Sequence, residues 1–195
     1  MSTTLDTYCI DANVLIQAWQ KYYSPKFCPD YWNVLDELGK QNKIFICEDV
    51  YGEIKKTEDD LYDWLKKCNI PIKKSSENVI KCLKEIYQNP LHLKLVDNTK
   101  NRSLADPWVI AHAMSENAVV VSKEEKITAT NTDKVKIPNV CENMNVRCIN
   151  DFECISIDER LQYLLLLNDE NVLPVFTNSY FKQLLSQYGF HDKKA

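Results

Sequence analysis

The chain is predicted to be an α/β protein, a three-layer α/β/α sandwich with a mostly parallel central sheet, on two observations. Short apolar runs alternate with segments of helical period through most of its length, and such alternation folds as strands joined by helical crossovers. One run, Ala118-Val-Val-Val-Ser122, is β-branched at its centre, as strands buried on both faces are. Right-handed crossovers then put helices on both faces, and ligands gather at the C-terminal ends of the strands.

Taken in order, Tyr8-Cys-Ile closes the first strand at Asp11. Ala12 to Tyr23 follows with Val14, Leu15, Ala18, Trp19 and Tyr22 at helical spacing, so Asp11 stands at a strand-to-helix turn. Asp30 is expected to cap a second helix running to about Gln41, with Trp32, Leu35 and Leu38 on one side and Gly39 near its end. Lys43 to Cys47 is the second strand. Glu48 and Asp49 then open a helix carrying Val50, Glu53 and Ile54, since acids suit the positive end of a helix. Asp59 to Cys68 and Ser75 to Tyr87 read as amphipathic helices, the second capped by Ser75 or Ser76, with Pro71 and Pro90 as punctuation. Leu91 to Ser103 is polar and carries no clear period.

Asp106 before Pro107 suits an N-cap followed by proline at the first helical position, and the helix runs through Met114. Ala118 to Ser122 is the third strand. Val146 to Ile149 is the fourth, after a helix begun near Pro138. Two further helical segments, Asp158 to Asn168 and Asn178 to Tyr188, lie beyond. The expected organisation is a domain over 1–155 and a C-terminal helical extension over 156–195, packed on or next to it.

Composition narrows the function classes. At 45% hydrophobic residues over 195 positions, the chain can bury one good core. The N-terminus has neither the basic region nor the apolar stretch of a secretory signal. Leu161 to Leu167 is far short of the ~20 apolar residues a membrane crossing needs. A cytoplasmic protein without membrane contact is expected, and the eight scattered cysteines read as reduced thiols. Cys141, Cys148 and Cys154 have irregular spacing and no Cys-x-x-Cys pair exists, which disfavours structural zinc. The net charge of −4 means that any surface for nucleic acid must be local. Lys55, Lys56, Lys66, Lys67, Lys73, Lys74, Lys81 and Lys84 form a lysine-rich stretch, read equally well as solvated helix faces.

Gly39, Gly52 and Gly189 are the only glycines, so neither a P-loop nor a Gly-x-Gly-x-x-Gly dinucleotide turn exists. There is no Gly-x-Ser-x-Gly elbow, and His92, His112 and His191 are too scattered to suggest a nucleophile–base pair. Trp19, Trp32, Trp64 and Trp108 are assigned to packing rather than to base stacking. What remains are acids at strand ends and helix starts: Asp11, Glu53 and Asp106. Clustered carboxylates raise one another's pKa unless a cation neutralises them, and hard oxygen ligands select Mg²⁺ or Mn²⁺. Metal-assisted phosphodiester hydrolysis is the matching chemistry. A metal-dependent phosphatase using Asp11 as nucleophile is less well supported, since Asn13 stands where a second acid is expected.

Four segments together carry a family resemblance: Tyr8-Cys-Ile-Asp-Ala-Asn-Val-Leu-Ile16, Val50-Tyr-Gly-Glu53, Leu104-Ala-Asp-Pro-Trp-Val-Ile-Ala111 and Val119-Val-Val-Ser-Lys-Glu124. In order and spacing they resemble the successive motifs of PIN-domain proteins over about residues 6–155. Ile137-Pro-Asn-Val-Cys141 with Val146-Arg-Cys-Ile149 is similar to a PIN-like bacterial family.

The resemblance implies a Mg²⁺- or Mn²⁺-dependent endoribonuclease acting on single-stranded RNA, often a toxin held inactive by a partner antitoxin, with a homodimer the favoured assembly. By position it makes Asp11, Glu53 and Asp106 the catalytic acids and metal ligands, with Asn13 in support. In the fourth motif the family commonly has Thr-x-Asp, whereas this chain has Ser122-Lys-Glu124. Glu124 is thus the candidate fourth catalytic acid, its longer side chain placed to meet a metal through water, and Ser122 a positioning hydroxyl. The alternative is a PIN-like binding module for protein or RNA whose catalytic site has degraded.

Overall fold

The computed structural model describes residues 6–96, 103–129, 134–151 and 153–154. Five parallel strands form its sheet: β1 (Tyr8–Ile10), β2 (Ile44–Cys47), β3 (Ile72–Lys73), β4 (Val119–Val121) and β5 (Cys148–Ile149), in spatial order β3-β2-β1-β4-β5. Every residue of β1, β2 and β4 is buried, which is why these strands read as continuous apolar runs.

The chain moves one way across the sheet from β1 through β2 to β3, then crosses back to β4 and on to β5. With right-handed crossovers, that reversal assigns the helices to two faces. The helices α1 (Ala12–Gln17), α2 (Pro29–Lys40), α3 (Glu48–Lys55) and α4 (Asp60–Leu65) take one face. The other carries α5 (Glu77–Ile86), α6 (Asp106–Glu116) and α7 (Ile137–Asn143). The register agrees. Cys9 pairs with Phe45 and Val120, and Cys47 with Lys73, so these side chains share a face. Lys73 reaches Glu116 at the end of α6 at 2.5 Å, which fixes α6 on that side. The reversal between β1 and β4 is also the point where such folds open a crevice at the strand C-termini.

Local chemistry sets the helix limits. Asp59 and Ser76 cap α4 and α5, accepting hydrogen bonds from the backbone N–H groups of Tyr62 and Val79. α6 ends at Asn117, which takes the left-handed conformation that asparagine tolerates. His92, in a 3₁₀ turn over Pro90–Leu95, is buried and satisfied. Its Nδ1 donates to the Ile86 carbonyl at 2.8 Å, and its Nε2 accepts from the Asn143 side chain at 3.1 Å. That ring ties α5 to α7. Trp32 packs edge-on against Trp19 and Trp64, with ring centroids 4.7 and 4.8 Å away, so these three tryptophans serve packing.

Several expectations need correction. The sheet has five strands rather than four: β3 is two residues long, follows Pro71 and has no apolar run to announce it. Asp30 does not cap α2; Cys28 holds that position, and Asp30 lies inside the first turn. The helix expected over Asp59 to Cys68 is shorter, with Asp59 as its cap. Asp106 is not an N-cap either: Ala105 is, and Asp106 is the first helical residue. All eight cysteines are free thiols. Among the described residues, no helix is long and apolar enough to cross a membrane. The two helices expected beyond residue 157 lie outside the described residues.

Candidate active site

Asp11 follows β1 directly, and its backbone continues the ladder, the N–H donating to the Val121 carbonyl at 3.0 Å. Ser122 does the same beyond β4, donating to the Ile149 carbonyl at 3.0 Å. Because Ile10 is in register with Val121, Asp11 and Ser122 sit side by side at the sheet's C-terminal edge, on the face shared with α6. The Ser122 hydroxyl donates to Asp11 Oδ2 at 3.0 Å. Asp11 is fully buried, yet its Oδ1 has no hydrogen-bond partner. A buried carboxylate oxygen left bare costs free energy, so something else is expected to meet it.

Asp106 opens α6 and is 3% exposed. With Ala105 as the cap, helix capping does not account for it. Burial pushes its carboxyl up to about 8, with the charges of Asp11, Glu124 and Glu53 adding to the shift and a hydrogen bond from Ser103 opposing it. Burial likewise pushes Asp11 up to about 7, Ser122 opposing and the charges of Glu124 and Glu53 adding. Glu53, half-buried on α3, is raised by desolvation and eased by Lys56. Four carboxylates from four parts of the chain therefore share one field.

Glu124 differs from the other three. It accepts the Lys136 ammonium on Oε1 and the Ile137 N–H, at the start of α7, on Oε2 at 2.9 Å. Its own N–H donates to Ser122 Oγ at 3.2 Å, which places Ser122 between Glu124 and Asp11. Asn13 is half-buried two residues on, in the first turn of α1, and its backbone N–H offsets part of Asp11's shift.

Hard carboxylate oxygens, mutual repulsion and one orphaned buried oxygen fit a divalent cation in chemistry and charge. Among the described residues, no three His, Cys, Asp or Glu side chains are already gathered closely enough to enclose an ion. The structure also shows residues the sequence reading missed. Asp151, just past β5, is 2% exposed and lies 2.7 Å from Lys123 in an ion pair. The signal was available: Asp151 stands after its strand much as Asp11 stands after β1. Lys136 and Ser103 lay in polar stretches with no motif to single them out.

A five-stranded parallel sheet ordered in this way, with helices on both faces and acids at the C-terminal edge of its central strand, is a three-layer α/β/α sandwich. The chain belongs to the family described as Domain of unknown function (DUF4411), a PIN-like family whose model matches residues 8–161. No curated protein matches it in sequence. Among solved structures, the crystal structure of VapBC2 from Rickettsia felis bound to a DNA fragment from their promoter is similar, with 20% identity and a TM-score of 0.49, covering 74% of this chain and 98% of that chain.

Proposed function

We propose that the protein is a divalent-metal-dependent endoribonuclease acting on single-stranded RNA, with Asp11, Glu53 and Asp106 holding Mg²⁺ or Mn²⁺. The observation that carries this reading is the orphaned Oδ1 of a fully buried Asp11, beside an Asp106 whose ionisation it opposes. When bound, such an ion supplies charge neutralisation and polarises a phosphodiester. The chain's own residues do the rest. Ser122 fixes Asp11 by its Oδ2 and leaves Oδ1 without a hydrogen bond. Lys136 and the first turn of α7 hold Glu124 at the rim, where it orients Ser122 through the backbone. The same motif resemblance extends the proposal to a cytoplasmic toxin held by an antitoxin protein, with a homodimer as the assembly.

A specific observation favours the second reading, a PIN-like module that binds protein or RNA without cutting: both oxygens of Glu124 are already engaged within the chain. Cleavage of a labelled single-stranded RNA pool with Mn²⁺, Mg²⁺ or EDTA separates the two. Cleavage that needs the metal and vanishes in Asp11→Asn supports the nuclease. A wild type as inert as that variant, while still binding the RNA, gives the module the better claim.

A further inference from the structure

We propose that the segment from Lys21 to Phe27, the end of the helical turn Ala18–Tyr22 and the loop after it, is a stacking platform for the bases of a single strand entering or leaving the acidic centre. This rests on the ribonuclease reading and names where its substrate is held. Among the described residues most aromatic side chains are packed inside, but Tyr22 and Phe27 are not: they are 56% and 79% exposed. Exposed lysines accompany them, Lys21 beside Tyr22 in sequence and Lys26 with its ammonium 5.8 Å from the Phe27 ring centroid. Alternation of cations with open aromatic rings is what single-stranded nucleic acid uses, since phosphates need positive charge and every base has a face to stack. In a chain of net charge −4, such a patch is also complementary to phosphate where the protein as a whole is not.

The segment is tied to the active site by Lys123. Its ammonium lies 4.8 Å from the Tyr22 ring centroid and 2.7 Å from the buried Asp151 carboxylate. That ion pair holds Lys123 in place, and Lys123 in turn steadies the Tyr22 ring from one side. Lys123 stands between Ser122, which holds Asp11, and Glu124. The ring is therefore one lysine side chain plus 4.8 Å from the backbone at the acidic centre. A strand whose phosphate sits at Asp11 and Asp106 has its neighbouring bases within reach of Tyr22. Neither ring is needed to bury the core, so the segment's exposed aromatics are accounted for by binding.

The test measures binding apart from cleavage. In an Asp11→Asn background, anisotropy of a fluorescein-labelled oligoadenylate of about 15 nucleotides is followed at fixed salt. Tyr22→Ala is expected to weaken binding about tenfold, Phe27→Ala to weaken it further in combination, and Tyr22→Phe to restore it. The same oligonucleotide in a duplex, whose bases already stack on one another, should not distinguish the variants. Circular dichroism confirms that each variant is folded, as substitution at exposed positions predicts. Equal affinity of Tyr22→Ala and its parent for the single strand overturns the platform alone. A parent that binds no RNA overturns the platform together with the ribonuclease reading.

Discussion

At the residue scale, Asp11 has the most to reveal, because its burial sets stability and chemistry against each other. Its carboxyl is pushed from 3.8 to about 7 by desolvation, and that of Asp106 to about 8. Above pH 3.8 the unfolded chain gives up these protons while the folded chain keeps them. The metal-free protein thus loses stability as pH rises from about 3.8, until Asp11 and Asp106 ionise in the folded state near 7 and 8. In EDTA, the stability of Asp11→Asn relative to wild type should rise between pH 5 and pH 8.5 by on the order of 2 kcal/mol, read as urea midpoints. A difference independent of pH would mean that the carboxyl is not the source. His112 makes a separate point. Both its ring nitrogens are buried without a partner, and desolvation lowers its pKa. A residue that loses hydration and gains no hydrogen bond is a net cost, so His112→Leu should stabilise the fold by about 1 kcal/mol in the same denaturation measurement.

At the scale of elements, the site is held by α7 and α6 as much as by the sheet. Glu124 is anchored by Lys136 and the Ile137 N–H, so it acts on Asp11 through Ser122. Glu124→Gln is expected to lower RNA cleavage by roughly 10–100-fold, the range for a partner of a metal ligand, whereas Asp11→Asn should abolish it. Equal losses in the two variants would make Glu124 a ligand in its own right. Packing also constrains α2. A methyl group on Gly39 would meet the Ile70 Cα and N at 2.7 Å, backbone that cannot swing aside. Gly39→Ala should therefore cost about 1–3 kcal/mol by overpacking despite its better helix propensity. Asp11 and Asp106 stand at a strand end and a helix start, which follow from period and motif order, whereas Glu53 lies well inside α3 and was singled out by motif order alone. Asp106 was placed correctly on its helix but given the wrong duty, since an Asp-Pro pair reads as a cap until the backbone shows that Ala105 fills that role. Lys136 was invisible for a different reason. Its contact with Glu124 spans a loop whose length and path no local pattern determines.

At the scale of the whole molecule, the reversal of chain direction between β1 and β4 gathers these acids. It sets the C-terminal ends of the adjacent strands β1 and β4 at the edge where α6 begins. Four strands announced themselves in the sequence, without their order in the sheet; β3 owes its place to pairing with β2 rather than to its own residues. Gathering like charges at one edge is destabilising without a counter-charge, so a cation bound there should return that free energy. By mass action, Mn²⁺ at about 100 times its dissociation constant stabilises the fold by ~2.7 kcal/mol, roughly 5–10 °C in melting temperature for a domain of this size. The shift should be larger near pH 8.5 than near pH 5.5, because at the lower pH the raised pKa values of Asp11 and Asp106 keep both protonated and unable to bind. Thermal melts of wild type and Asp11→Asn across that range decide the matter. A shift confined to wild type and growing with pH locates the ion at these carboxylates, and one of equal size in the variant moves it elsewhere.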